Sequence, residues 1–490
     1  VKLVVVGGGI TGLAAAHRAV ELARERGLAL DLTVLEARDR LGGAIETERA
    51  GGFLIEAGPD SFISEKPWAL ALCGRLGLED RLVRTDDRHR RTFVWYGGRL
   101  HPLPEGFQLL APTRLRPFLA SRLFSWPGKL RMALEVLLPR GGGLLPRAQD
   151  ADESLGSFVR RRLGAEALER VAQPLVAGIY TADPDDLSLT ATMPRFLELE
   201  RRERSVALAL WRAGRRAPQP GTSGARWSLF VSFRDGMGEL VDTLAARLPG
   251  GTLLLKQRVT GLARADRGWR VEVGAGESLT ADAVIVATET HVASRLLRYV
   301  DPAAAALLAD ITYASSATVT LAYRRTDIPH PLDGFGFVVP RGERRALLAC
   351  TFSSVKYEAR APEGMALLRG FLGGALDPGM LQRSDGDLVA TARAELREAL
   401  GIAAEPVLVR VHRWPHAMPQ YRVGHLARVD AVEHALRRLP GLALAGGGYR
   451  GVGISDCVRS GETAAARALG VDAASWTDQD APRAKGARYN

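Results

Sequence analysis

Lys2–Val6 is an apolar, mostly β-branched run of the kind that fills a strand buried on both faces. It ends in Gly7-Gly8-Gly9-Ile10-Thr11-Gly12, and an Ala- and Leu-rich pattern then predicts a helix to about Arg26. A second strand is predicted at Asp31–Leu35. Four short ones follow much later, at Leu253–Leu255, Arg258–Leu262, Trp269–Val273 and Ala283–Ala287. Leu442–Ala445 reads as another strand, ahead of a closing helix to about Leu469. Between these pieces, Ala317–Tyr323 and Ala366–Phe371 read as strands and Asp387–Leu400 as an amphipathic helix. Phe107–Leu145 has a different texture. It mixes Leu, Phe and Trp126 with Arg114, Arg116, Arg122, Lys129 and Arg131, and reads as short helices broken by Pro117 and Pro127.

The order strand, glycines, helix, strand, acid has a chemical meaning. Gly7, Gly9 and Gly12 form a GxGxxG: a tight turn, a close approach to pyrophosphate, and a close helix–strand contact. The helix N-terminus faces the anion. Glu36, at the end of the second strand, is placed to bind ribose hydroxyls. A lone glycine motif reads equally as a ligand-free turn; the whole sequence of elements favours a dinucleotide. Arg38 and Arg40 can form charge-assisted bonds to pyrophosphate, and Gly42-Gly43 permits a second close approach. At the other end, Gly446-Gly447-Gly448 follows a short apolar strand, and Val452-Gly453-Ile454 opens a helix. That helix N-terminus suits the electron-rich edge of a flavin ring and favours hydride acceptance.

A chain of 490 residues is too long for one ordinary core, so two or more domains are expected. The formal net charge is +11, with 66 basic residues of which only six are lysine. A compositional bias toward arginine explains this, as does an anionic partner such as a polycarboxylate or a membrane surface. No nucleic-acid motif accompanies the charge, so nucleic acid is not expected. Cys73, Cys350 and Cys457 are far apart and odd in number, without zinc spacing, and the nine histidines do not cluster. No metal is therefore expected, and a reducing cytoplasm is, since no leader pattern or spanning apolar run is seen.

The run Glu36–Gly43 (EARDRLGG) resembles the flavin amine oxidase superfamily, where ExxxRxGG follows the second strand. Further motifs sharpen this. They are Glu56–Phe62, Gly178-Ile179-Tyr180 with Leu187-Ser188-Leu189, Met193–Glu200, Gly334–Pro340, Met418–Tyr421 and Tyr449–Gly453. Together they resemble the protoporphyrinogen and coproporphyrinogen III oxidase family over nearly the whole chain. The resemblance implies an α/β fold: a discontinuous Rossmann-like FAD-binding domain, an α+β substrate domain and a helical insert that is a candidate for membrane contact. The expected boundaries are 1–64, 232–293 and 416–470 for the FAD domain, and 65–92, 185–231 and 294–415 for the substrate domain. The insert is expected at 93–184, and a disordered tail at 471–490.

The implied cofactor contacts are Gly7, Gly8, Gly9, Ile10, Thr11, Gly12, Glu36, Ala37, Arg38, Arg40, Gly42, Gly43 and Ala44. Gly58, Pro59, Asp60, Ser61, Val259, Trp414, Gly447, Val452, Gly453 and Ile454 complete them. No cysteine lies in Gly446–Tyr449, where covalent-flavin members carry theirs, so a non-covalent FAD is expected. The implied substrate contacts are Lys66, Gly178, Tyr180, Arg195, Phe335, Gly336, Val338, Phe371 and Met418, each of which also suits plain core or surface packing. Ser455 stands where many bacterial members have Pro, and Thr92 where animal-type members have an arginine that holds a substrate propionate. Lys66, in Asp60–Pro67, resembles the coproporphyrinogen-using branch.

The resemblance implies a six-electron oxidation of a porphyrinogen to a porphyrin in haem synthesis. Oxygen is the acceptor, peroxide the by-product, and the flavin the hydride acceptor. No general base is evident, and the expectation is that no side chain acts as an essential acid or base. The competing readings are an amine oxidase or carotenoid-type desaturase on the same scaffold, and a flavin-containing porphyrin-binding protein. A homodimer and a peripheral contact with the inner face of the cell membrane are open expectations.

Overall fold

The structure, a computed structural model, describes residues 1–108, 111–112, 114–138, 152–203, 205–215, 229–274 and 276–471. Strands that are apolar on both faces need cover on both sides. Lys2–Val6 finds it at the centre of a five-stranded sheet, between Asp31–Leu35 and Ala283–Val286. The edges are Leu253–Leu254 and Leu442–Leu444, and all four pairings are parallel. Leu3 and Val5 point to one side, among the helices Ile10–Arg26, Pro67–Leu76, Gly238–Arg247 and Ile454–Ala468. Val4 and Val6 point to the other, among Val259, Trp269, Val271 and the helices Thr290–Leu297, Pro302–Ala309 and His425–Leu436. The first helix stops at Gly27, whose left-handed backbone returns its N–H to the carbonyls of Ala23 and Arg24.

A seven-stranded sheet forms the second centre. Its order is Leu408–Pro419, Tyr313–Arg324, Met365–Gly373, Leu347–Phe352, Gly336–Val338, Thr92–Tyr96 and Arg99–Pro102. Only the pairing of Gly336–Val338 with Thr92–Tyr96 is parallel. Alternation divides its faces. Phe93, Trp95, Phe337, Leu368 and Leu372 pack with the helix Asp385–Leu400, which Ser384 and Asp387 close with a reciprocal capping box. Val94, Val338, Ala349 and Phe371 pack instead against the helical segments Leu155–Arg162 and Gln173–Tyr180.

Two expectations need correction. The stretch from residue 93 was expected to open a helical insert, yet Thr92–Tyr96 and Arg99–Pro102 are strands of the large sheet. Gly97 and Gly98, both at positive φ, make the hairpin turn, and the run Phe93-Val94-Trp95 is buried on both faces. Pro117 and Pro127 do not break helices. They lie in the first turns of Leu115–Ala120 and Trp126–Ala133, where a missing N–H costs no helical bond.

Inside the insert, Arg162 and Glu135 are fully buried together. The Glu135 carboxylate also accepts bonds from the Ser205 hydroxyl and the Val206 N–H, which ties Leu134–Leu137 to the start of the helix Val206–Arg215. No helix among the described residues is long and apolar enough to cross a membrane. Apart from Val471, the expected tail lies outside the described residues, as do residues 139–145 of the basic apolar stretch.

Candidate functional site

The front glycines and the Gly42-Gly43 pair come together by backbone. The Gly42 N–H donates to the Gly8 carbonyl at 2.9 Å, and Gly9 bridges Gly42. A Cβ on Gly12 would overlap the Gly7 carbonyl oxygen, so the helix Ile10–Arg26 can start this close to the strand only with glycine there. Glu36 is buried, and its carboxylate accepts the Gly8 N–H at 2.7 Å and the Arg38 N–H at 2.8 Å. A carboxylate has about four lone-pair directions, so capacity remains for hydroxyls of a ligand. Ala37 is half-buried beside it, and the Arg38 side chain is exposed. Arg40 turns inward to its own loop: it donates to the carbonyls of Leu41, Gly43 and Ile45 and pairs with Glu46 at 2.6 Å. Its role here is to shape the glycine loop.

Ala44 and Gly58 meet so closely that a Cβ on Gly58 would overlap the Ala44 carbonyl. The large sheet grips this second segment. Trp414 donates its indole N–H to the Ala57 carbonyl at 3.0 Å, and Arg369 donates to the carbonyls of Glu56 and Gly58 at 2.7 Å each. Pro59, Asp60 and Ser61 follow, with Ser61 donating to Asp60 at 2.7 Å. Asp60 is ion-paired to Lys356 at 3.0 Å and Arg369 at 3.4 Å. Burial pushes its pKa up, but these two cations outweigh burial and hold the carboxyl below its ordinary value. Val259 heads the strand Val259–Arg264 and packs with Val6 and Leu35 at the carboxyl ends of the first two strands, where open parallel sheets bind ligands.

The back glycines close on the same place. Gly461 of the closing helix lies against the Thr11 backbone, and a Cβ on Gly447 would touch Cys457. The helices beginning at Ile10 and Ile454 have glycine N-caps, Gly9 and Gly453, with no side-chain cap bond. Their first-turn N–H groups are donors without side-chain acceptors. Two uncapped helix starts, a glycine cradle that Cβ atoms would fill, and a buried carboxylate fit a flavin dinucleotide. The residues that would hold it are Gly7–Gly12, Glu36, Gly42–Ala44, Gly58, Trp414, Gly447 and Val452–Ile454.

Beside that cradle is an apolar wall. Tyr180, Val338, Phe371 and Val452 share one packed cluster with Ala349. Gly178 is exposed at its edge, where a Cβ would meet Val338 at 3.7 Å. Gly336, at φ +142, sits so close to the Cys350 carbonyl that a side chain would collide with it. The Gln420 amide ties Tyr180 and Met418 together, donating to both carbonyls at 3.1 Å. Burial, and then the Asp456 carboxylate, push the Tyr180 phenol up to about 12, so it stays protonated near neutral pH, and its hydroxyl donates to the Thr192 carbonyl at 3.4 Å. The packed cluster does not contain Phe335, Met418 or Arg195. Arg195 is exposed on the helix Pro194–Glu203 and forms no ion pair among the described residues.

Lys66 has an intramolecular partner. Its ammonium meets both Asp456 oxygens, at 2.6 and 2.7 Å, while its side chain keeps 44% exposure. Ser455 adds bonds to the carbonyls of Ile63 and Lys66. Asp456 escaped the sequence reading, as did Arg369, Lys356, and Tyr421 with His425 as side chains in contact with the back loop. A charge inside the apolar run Leu367–Leu372 was the available signal for Arg369; the others are joined only by the fold.

The chain matches the family of flavin-containing amine oxidoreductases over residues 10–469 and belongs to it. It is a flavin-containing oxidoreductase. It is 35% identical to a coproporphyrinogen III oxidase of Bacillus subtilis (strain 168), across 95% of this chain and 97% of that one. It is 37% identical to a coproporphyrinogen III oxidase of Propionibacterium freudenreichii subsp. freudenreichii, across 93% and 88%. Among solved structures it is similar to a protein provisionally called protoporphyrinogen oxidase from Exiguobacterium sp. 255-15. That match has a TM-score of 0.82 and 32% identity, over 95% of this chain and 97% of the other.

Proposed function

We propose that this chain oxidises coproporphyrinogen III to coproporphyrin III with a non-covalently held FAD and oxygen as acceptor, as a step of haem synthesis. The observation that carries the reading is the apolar wall of Tyr180, Val338 and Phe371, packed in one cluster with Val452 of the back glycine loop. A flat, apolar macrocycle needs such a wall beside the cofactor. The names borne by its relatives point to the same substrate class.

When bound, the flavin supplies hydride acceptance, and oxygen carries the electrons off as hydrogen peroxide. The chain's residues supply orientation and exclude water. Gly178, exposed at the edge of the wall, adds no side chain there, Gly336 lets its strand pack against the Cys350 carbonyl, and the protonated Tyr180 phenol cannot serve as a base at neutral pH. The histidine–carboxylate pairs His17–Glu21 and His412–Glu48 form no hydrogen bond to a wall residue among the described residues. On this reading the pyrrole N–H protons leave to solvent without a dedicated residue. An ammonium has three donors, so Lys66, with Asp456 engaged, retains capacity for one propionate at the pocket edge. We further infer that the FAD unit is built from the three separated stretches near 1–64, 232–293 and 416–470.

The insert supports a second, peripheral property. Leu115, Leu119, Trp126, Leu130 and Leu137 are exposed, Trp126 at 71%, amid Arg114, Arg116, Arg122 and Arg131. An exposed apolar face rimmed by arginine suits an anionic membrane surface.

The test is aerobic incubation of the flavin-loaded protein with coproporphyrinogen III and, separately, protoporphyrinogen IX. Porphyrin fluorescence and peroxide are followed together. The expected result is porphyrin formation with three peroxides per ring and a higher kcat/KM for the coproporphyrinogen. Flavin-loaded protein that oxidises neither substrate overturns the reading.

A further inference from the structure

We propose that Tyr421 is a positioning residue for the flavin, its hydroxyl holding the back glycine loop in the geometry that favours the reduced cofactor. This rests on the placement of a flavin at that loop.

Tyr421 is 1% exposed. Its hydroxyl donates to the Gly447 carbonyl at 2.5 Å and accepts the Gly451 N–H at 2.8 Å, so one oxygen spans the loop. Its ring stacks on His425 with centroids 3.9 Å apart and planes 15° apart. The His425 Nε2 lies 2.7 Å from the Tyr449 carbonyl. A carbonyl only accepts, so Nε2 carries the proton. Residues 447, 449 and 451 are thus all held from the segment Tyr421–His425. The loop then runs through Val452 to Gly453, the uncapped start of the closing helix.

The same segment is anchored on the substrate side. The Ser188 N–H donates to the Tyr421 carbonyl at 2.7 Å, and Gln420 binds the carbonyls of Tyr180 and Met418. The adjacent pair Gln420-Tyr421 therefore joins Tyr180 of the wall to the loop, Gln420 bonding the one and Tyr421 the other. Negative charge grows on the flavin ring as it is reduced, and backbone donors fixed beforehand stabilise it without reorganising. A phenylalanine at 421 keeps the ring stack but leaves the half-buried Gly447 carbonyl and Gly451 N–H without their partner, so the donors at the helix start lose their fixed aim.

The experiment is a reductive titration of full-length, flavin-loaded protein against a reference dye, without substrate. Tyr421→Phe should retain flavin but lower its two-electron potential. A tenfold loss of preference for the reduced form corresponds to about 30 mV, and a shift of at least that size is expected. Leu396→Ala, in the helix on the far face of the large sheet, provides a remote destabilised control and should leave the potential unchanged. If Tyr421→Phe does not accumulate as folded protein, His425→Phe reads the same contact network through Tyr449 and should shift the potential in the same direction. An unchanged potential in the folded variant, or an equal shift in Leu396→Ala, overturns the proposal. Wild-type protein that binds flavin but oxidises no porphyrinogen sinks the substrate assignment and leaves this measurement standing.

Discussion

Replacing His425 by glutamine should remove a specific acid sensitivity. The imidazole is fully buried, and burial, helped by Arg428 and Arg450, pushes its pKa down to about 4; the Tyr449 carbonyl and Asp152 pull the other way. In the unfolded chain the same group titrates near 6.5. Below that value the unfolded state binds a proton that the folded state refuses, so stability falls as pH falls. The gap of about 2.5 units corresponds to roughly 3.4 kcal/mol in full, and about 2 kcal/mol of that is lost between pH 7 and pH 5. Glu462, pushed up to about 6 by burial, works in the opposite direction over this window. His17, His291, His330 and His412 are lowered as His425 is. The informative quantity is therefore the difference between two profiles. Urea unfolding of flavin-loaded wild type and His425→Gln, followed by near-ultraviolet circular dichroism from pH 7.5 to 5, should show the variant less stable at neutral pH. The gap should narrow by about 2 kcal/mol at pH 5. Parallel profiles would refute the assignment of a buried, neutral imidazole.

Three further outcomes are expected. Glu36→Gln turns an acceptor toward N–H donors and should weaken FAD binding about tenfold, roughly 1.4 kcal/mol, as read by equilibrium dialysis. Lys66→Gln should raise KM for coproporphyrinogen roughly five-fold with little change in kcat, since its half-exposed ammonium is already shared with Asp456; an unchanged KM removes Lys66 from substrate binding. Replacing both Trp126 and Leu130 by serine should abolish co-sedimentation with anionic liposomes while leaving thermal stability within about 2 °C, because both side chains are exposed.

What could be read from the bare sequence was mostly local. The strand Trp269–Val273 falls where its alternation places it, and Asp387–Leu400 lies inside the helix Asp385–Leu400, extended by the cap at Ser384. The front loop is legible because strand, glycines and acid lie within one short unit. Thr92–Tyr96 pairs locally with Arg99–Pro102 across Gly97-Gly98, a hairpin signal that the helical expectation overrode; only its second partner, Gly336–Val338, lies more than two hundred residues away. The same distance problem concealed Lys66 with Asp456 and Asp60 with Lys356: a charge beside an apolar run does not reveal its partner. Arg40 shows a further limit. Motif spacing suggested a pyrophosphate contact, while its guanidinium is engaged by three carbonyls of the loop that carries it.

The parallel sheet draws its central strand from the first residues and an edge strand from Leu442–Leu444, and the closing helix packs on the opening one. A ribosome adding about 5–20 residues each second needs roughly 20–90 s to travel from one glycine loop to the other. Ala283–Val286 is made partway through that interval, and from then until Leu442–Leu444 emerges it lacks its outer partner and presents an open edge. Cofactor capture must therefore wait until the back loop has been made. Premature termination anywhere before the back loop leaves a chain with half a nucleotide cradle and an unprotected strand, a substrate for chaperones or proteases and not a weaker enzyme.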